Sequence, residues 1–185
     1  VRRWRAKSGA NAPTRAFVPL KFELGEAFQF DWSEEALVIG GVWRKLLVAH
    51  TKLCASRAFV LVAYPSQSHE MLFDAHTRSF IALGGIPRRG IYDNMKTAVD
   101  RVGRGKQRDV NARFLAMTSH YVFEPEFCNP AAGWEKGQVE KNVRDARHRL
   151  WQVAPDFPNL EALNNWLEDR CTVLWSETAH GSLPG

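Results

Sequence analysis

The chain has 185 residues, 45% hydrophobic and 24% charged, a length and balance that suit one soluble globular domain with a real core. No apolar run approaches the roughly 20 residues a membrane helix needs, and the basic start Val1-Arg2-Arg3-Trp4-Arg5-Ala6-Lys7 has no apolar segment behind it, so neither a membrane span nor a secretory signal is expected. A net charge of +5 with pI near 9.3 is compatible with a polyanionic partner.

Residues 1–20 are basic and interrupted by Gly9, Pro13 and Pro19, which reads as an arm or linker. With no initiator Met, the chain reads as a piece of something longer. Ala27–Trp32 alternates, with Phe28, Phe30 and Trp32 on one face and Gln29 and Asp31 on the other. Ala36–Ile39, Gly40-Gly41 and Val42–His50 predict a hairpin whose turn needs the freedom of glycine. Arg57–Tyr64 is rich in strand formers and nearly continuous in apolar character, as a buried strand should be. Three consecutive antiparallel strands are therefore expected.

Ser68 is a candidate N-cap, with Glu70 in the first turn of a helix. That helix carries Met71, Leu72, Ala75, Ser79 and Ala82 at helical spacing, and Gly84-Gly85 stops it. Ile86–Tyr92 then reads as a strand reached by a crossover helix, which predicts parallel pairing with an earlier strand. Lys96–Arg108 holds Lys96, Arg101, Arg104, Lys106 and Arg108 with Gly103 and Gly105, and is expected to be a mobile basic loop. Val110–Ser119 reads as a helix and Tyr121–Phe127 as a short strand.

After Asn129-Pro130 a helix is expected from about Trp134 to Trp151, with Val139, Val143, Ala146 and Leu150 as its buried stripe. Leu160–Trp175 is a last amphipathic helix, with Leu163, Trp166, Leu167, Cys171 and Leu174. The natural layer solution is α/β: a mixed five-stranded sheet, three antiparallel strands then parallel additions, flanked by helices. The division expected is a basic arm at 1–20, a core at 21–155 and a C-terminal helical extension at 156–185.

Three carboxylates stand in three different contexts: Asp31 on the first strand, Asp93 at the C-terminal end of the fourth, Glu140 on the late helix. Ligand sites of α/β sheets gather at the C-terminal ends of parallel strands. Glu140 follows Val139 by one position and so sits about 100° around the helix from the core stripe. Converging carboxylates repel unless cations neutralise them. Two Mg²⁺ ions would do so, and paired cations suit phosphoryl transfer. Glu135 is the rival to Glu140, but its place in the first helical turn is explained by the helix dipole alone.

The blocks Phe30-Asp31-Trp32, Ile91-Tyr92-Asp93-Asn94-Met95-Lys96-Thr97-Ala98-Val99 and Gly133-Trp134-Glu135-Lys136-Gly137-Gln138-Val139-Glu140 resemble those of IstA-type transposases of the insertion-sequence-21 group. These belong to the DDE transposase and retroviral-integrase superfamily, so the resemblance implies an RNase H-like fold over about residues 22–151. It implies that Asp31, Asp93 and Glu140 are the acidic triad. It further implies use of Mg²⁺ or Mn²⁺, cleavage and joining of DNA strands at element ends, an AAA+ ATPase helper and action as a homo-oligomer on DNA.

Asn94 orients substrate or shapes its turn. Lys136, Lys141, Arg144, Arg147 and Arg149 would line a DNA groove or simply solvate a helix face. Arg144, one turn after Glu140, is the best placed of them for a phosphate. The basic segment 96–108, with five cations, is read as phosphate-binding. His50, His69, His76, His120, His148 and His180 show no metal-ligand spacing, and His69 and His76 are assigned to the surface of their helix. Cys54, Cys128 and Cys171 form no CxxC pair, so neither a zinc site nor a disulfide framework is indicated, and a reducing bacterial cytoplasm is the expected setting. The rivals are an RNase H-like nuclease that does not join strands, and a non-catalytic DNA-binding module of the same fold.

Overall fold

A computed structural model describes residues 21–93, 95, 97–102, 108–128, 150–151 and 154–177. Strand β1 runs from Ala27 to Ile39 and pairs antiparallel with β2, Val42–Leu53, from Phe28↔Leu53 to Ile39↔Val42. The two expected segments of β1 are thus one strand. The polar stretch Ser33-Glu34-Glu35 stays extended because Val48, Leu47 and Leu46 of β2 pair with it. Gly40 and Gly41 both adopt positive φ, 61° and 75°, as a two-residue hairpin turn of the mirror-image type demands. Strand β3, Phe59–Tyr64, adds antiparallel to β2.

Helix α1, His69–Ala82, opens where Ser68 Oγ accepts from the Met71 amide at 3.3 Å. It crosses over to β4, Arg89–Tyr92, which pairs parallel to β1. Strands β5, Val99–Val102, and β6, Arg108–Val110, then form a separate antiparallel pair. Helix α2, Ala112–Tyr121, is capped by Asn111, whose side chain accepts from the Arg113 and Phe114 amides. Strand β7, Glu124–Phe127, pairs parallel to β4. The sheet order is β3-β2-β1-β4-β7, the mixed five-stranded sheet expected from the element sequence.

Helix α3, Leu160–Glu177, packs on β3 and covers the second face of the sheet with Leu163, Leu167 and Cys171. It also occupies hydrogen-bonding groups of β3. Asn164 accepts from the Ala63 amide at 2.7 Å and donates to the Ala63 carbonyl at 3.1 Å, while the Trp175 indole donates to the Phe59 carbonyl at 2.6 Å. An otherwise open strand edge is covered in this way. Leu150 and Trp151 are helical, and Leu150 is fully buried in the same cluster, as its place in the predicted stripe requires.

The other face holds an aromatic core. Phe28 and Phe30 of β1, Tyr92 of β4 and Phe80 of α1 pack together with Phe114 of α2 and with Phe123. At its centre lies His76. Its Nδ1 is 2.7 Å from the Leu72 carbonyl, its Nε2 is 2.8 Å from Tyr92 Oη, and its ring stacks on Phe30 with centroids 4.5 Å apart. This corrects the surface assignment: His76 is 0% exposed. It shares the inward stripe of α1 with Leu72, Ala75 and Ser79, and two hydrogen bonds meet the cost of burying an imidazole. His69, at the start of α1, is half-buried.

Gly90 is the narrow point of the core. A Cβ added there would lie 2.6 Å from Phe28 Cζ, 2.8 Å from Tyr92 Cε2 and 2.9 Å from Phe123 Cε2. Gly90→Ala is expected to cost about 1–3 kcal/mol, the range for overpacking a filled core. Urea denaturation checks this, and an unchanged midpoint would show that the rings have room to yield. A second expectation concerns pH. Burial pushes the His76 imidazole down to about 4, against about 6.5 in the unfolded chain. Between those values the unfolded state binds the extra proton. Stability is therefore complete above about pH 6.5 and declines as pH falls toward 4, by up to about 1.4 kcal/mol per unit. His76→Gln should flatten the fall in urea midpoint between pH 7 and 5; a slope equal to wild type would assign the titration to another group.

Candidate active site

The parallel pairing of β1 with β4 runs from Ala27↔Arg89 to Phe30↔Tyr92. One step further along the same register come Asp31 and Asp93. Asp93 thus lies at the C-terminal end of β4, and Asp31 stands beside it inside β1, on parallel strands about 4.8 Å apart. β7 ends beside them, where the Cys128 amide bonds to the Tyr92 carbonyl at 2.9 Å. Asp31 is half-buried and its Oδ1 accepts from the Trp32 amide at 2.8 Å, which holds the carboxylate against its own backbone where β4 stops. Asp93 is exposed, and the chain turns directly after it, with the Met95 amide on the Asp93 carbonyl at 2.8 Å.

The basic segment expected to be a mobile loop contains the β5–β6 hairpin. Its physical reason is apolar anchoring: Val99 is buried, Val110 packs against the aromatic core, and the Asn111 amide closes the base on the Ala98 carbonyl at 2.9 Å. Arg101 lies on β5, paired in register with Asp109, and Arg108 lies on β6, paired with Val102. The described part of the segment thus starts six residues after Asp93 as an antiparallel strand pair rooted beside the strand end. Asn94, Lys96, Arg104, Lys106, Lys136, Glu140, Arg144 and Arg147 lie outside the described residues.

Side chains alternate across β1, so Asp31, Ser33 and Glu35 share the face turned away from the aromatic core. His50 of β2 stands directly opposite Asp31. Its Nε2 is 3.0 Å from Ser33 Oγ, and Ser33 Oγ donates to Glu35 Oε1 at 3.2 Å. Sequence reasoning passed over His50 because it looked for ligand spacing along the chain. The signal lies in the strand register, which the glycine turn fixes.

Two aspartate carboxylates on adjoining strands are hard oxygen donors of the kind Mg²⁺ and Mn²⁺ take. Among the described residues no group of three or more His, Cys, Asp or Glu is placed to hold a metal ion. The pair therefore fits such an ion in donor type and needs a further ligand to complete it. An open cavity of about 940 Å³ lies at the opposite, N-terminal ends of β1, β4 and β7. Both arginines that line it are in ion pairs, Arg89 with Glu26 and Glu126, and Arg88 with Glu23, and it contains none of the predicted site residues. No described helix is long and apolar enough to cross a membrane.

No family model matches the chain. It is similar to a transposase of Aminobacter aminovorans, 65% identical over 188 residues that make up 100% of this chain and 37% of that protein. A transposase for insertion sequences IS1326/IS1353 of Pseudomonas aeruginosa is 62% identical over 99% of this chain and 37% of its own length. A transposase of insertion sequence IS21, also from Pseudomonas aeruginosa, is 30% identical over 84% of this chain and 40% of its own length. Among solved structures, the catalytic core domain of BIV integrase superposes with TM-score 0.56 at 14% identity, covering 87% of each chain. The HTLV-2 integrase catalytic core domain in complex with magnesium gives 0.54 at 11% identity, covering 86% of this chain and 92% of that one. The chain is thus homologous to a segment of insertion-sequence transposases and has the RNase H-like fold of integrase catalytic cores. It spans 37% of the length of the two more similar relatives.

Proposed function

We propose that this chain is the catalytic core of a DDE transposase, which cleaves DNA strands at transposon ends and joins them to target DNA in the bacterial cytoplasm. The observation that carries the reading is the register of β1 and β4, which sets Asp31 of β1 beside Asp93 where β4 ends, in an RNase H-like sheet. In this reading residues 21–155 form the core, 1–20 a basic arm and 156–185 an extension whose helix α3 packs on the sheet.

Asp31, Asp93 and Glu140 would hold two Mg²⁺ or Mn²⁺ ions. Bound there, the ions supply Lewis acidity toward the phosphate and lower the charge of the attacking and leaving oxygens. The remaining work belongs to the chain. Water attacks the phosphodiester at the element end, the P–O bond to the 3′ oxygen breaks, and a 3′-OH is freed. That 3′-OH then attacks a target phosphodiester, forming one P–O bond and breaking another. No covalent protein–DNA bond is required. Lys96, Arg101, Arg104, Lys106 and Arg108 neutralise backbone phosphates beside the strand end, and Lys136, Arg144 and Arg147 extend the contact along the late helix. Asn94 positions the phosphate nearest Asp93. Action as a homo-oligomer and with an AAA+ ATPase helper belongs to the same proposal.

The full-length protein is tested on duplexes carrying the element ends, pre-cut and uncut, with Mg²⁺ or Mn²⁺. Cleavage and joining are both expected, both abolished by EDTA. Asp93→Asn should lower both by about 10²–10³-fold, the scale of losing a preorganised catalytic group, while DNA affinity is retained. Hydrolysis without joining of pre-cut ends would leave a nuclease. Metal-dependent cleavage undiminished in Asp93→Asn would overturn the triad, and a fall in affinity alone would favour a binding module. The basic hairpin yields a separate expectation. Arg101→Ala and Lys106→Ala should each reduce the slope of log K against log[salt] by about 1, the signature of one lost phosphate contact.

A further inference from the structure

The face of β1 that carries Asp31 continues as a polar row, Asp31, Ser33 and Glu35, against a sheet face that is otherwise aliphatic. Val48, Leu46 and Leu61 are buried on that face, and Leu163 and Leu167 of α3 pack over it. His50 enters this layer from β2. It is 6% exposed, with Asp31 opposite it on β1 and Leu61 opposite it on β3. Directly opposed side chains in an antiparallel pair have Cβ atoms about 4.5–5.5 Å apart. The imidazole and the Asp31 carboxylate are therefore neighbours by register.

The hydrogen bonds around Ser33 give the imidazole a direction. Ser33 has one hydroxyl hydrogen, and it is given to Glu35 Oε1 at 3.2 Å. Ser33 Oγ therefore accepts at its 3.0 Å contact with His50, and Nε2 carries the proton. A relay runs from His50 Nε2–H to Ser33 O–H to the Glu35 carboxylate, and each donor is polarised by the next acceptor. It fixes the plane of a buried ring that stands opposite Asp31 in the β1–β2 register. His76 offers the contrast: its two nitrogens engage the Leu72 carbonyl and Tyr92 Oη, both groups of the core. His50 is held instead from the row that begins at Asp31.

We propose that His50 is a positioning residue for Asp31: anchored through Ser33 to Glu35, its ring walls one side of the carboxylate while the Trp32 amide holds the other. The inference rests on the reading of Asp31 as a metal-holding carboxylate. It adds a supporting group that the spacing of acids along the chain does not reveal. Removing a group that orients a metal's ligand typically weakens metal affinity by about 10–100-fold.

The test uses the full-length protein on a duplex carrying the element end, with Mn²⁺ alone as probe. Bound Mn²⁺ is counted by electron paramagnetic resonance, and the thermal midpoint is recorded alongside. His50→Phe keeps the ring volume and removes both nitrogens. It should weaken Mn²⁺ binding by about 10-fold or more with the fold retained. His50→Gln, which keeps a donor toward Ser33, should recover part of the loss, and Ser33→Ala should weaken binding in the same direction. Wild-type Mn²⁺ affinity in both His50→Phe and Ser33→Ala, with binding lost in Asp31→Asn, overturns the positioning role and leaves the metal reading standing. Undiminished binding in Asp31→Asn overturns the metal reading and the inference with it. Should His50→Phe fail to fold, Ser33→Ala decides, since it removes only the anchoring hydroxyl.

Discussion

Four rungs of parallel pairing between β1 and β4 carry the arrangement of the site. A strand has a side-chain period of two, so a slip of one residue would send Asp31 or Asp93 to the opposite face. The register is held by packing on the far side of the sheet. Phe28 lies over Gly90, where no Cβ fits, and makes edge-to-face contacts with His76, Phe80, Tyr92 and Phe123 at 5.3–5.9 Å. His76 ties the strands a second time, stacking on Phe30 of β1 while bonding Tyr92 of β4. Phe30 and Tyr92 immediately precede Asp31 and Asp93. The residues that lock the register thus adjoin the residues that the register serves.

The sheet divides its work between two faces. One is aromatic and sealed by α1 and α2; the other is aliphatic where α3 packs on it, and polar where β1 carries Gln29, Asp31, Ser33 and Glu35 and β2 carries His50. That polar stretch has a cost, because polar groups set among apolar neighbours need partners. The relay through Ser33 provides them for His50 and Ser33. The β1–β2 ribbon continues beyond the last rung of β4 as far as Ile39. There the Gly40 amide bonds the Phe157 carbonyl at 2.7 Å, and a bridge joins Ile39 to Phe157. The segment leading into α3 thereby clamps the far end of the strand on which Asp31 sits.

Much of this was legible in the residues. The cap at Ser68, the stop at Gly84-Gly85 and the turn at Gly40-Gly41 are local stereochemistry, and local stereochemistry is written in adjacent residues. The alternation of Phe28, Phe30 and Trp32 already put Asp31 on the other phase, and the crossover through α1 already required β4 to be parallel. What stayed hidden depends on partners far away in sequence. The charged stretch of β1 is extended because β2 pairs with it. The described ends of the basic segment pair as strands because Val99 and Val110 reach the aromatic core. His76 is buried because aromatic residues from β1, β4 and the segment before β7 leave it an imidazole-sized place. His50 became visible only when the register set it opposite Asp31.

The closeness of the two aspartates sets a limit that the rest of the fold must meet. Two unit charges about 5 Å apart repel by at most roughly 3 kcal/mol at an effective dielectric of about 20, and less where one is exposed to solvent, as Asp93 is. The aromatic pairs behind them act in the opposite sense. Each edge-to-face contact is worth about 0.5–1.5 kcal/mol beyond the area it buries, and Phe28 alone makes four. The packing is therefore large enough to hold both strand ends in register against the repulsion, without help from a cation. On the proposed reading, a site built this way would have its two aspartates in place before any ion arrives, so divalent binding would relieve repulsion already present and would not have to organise the strands that create it.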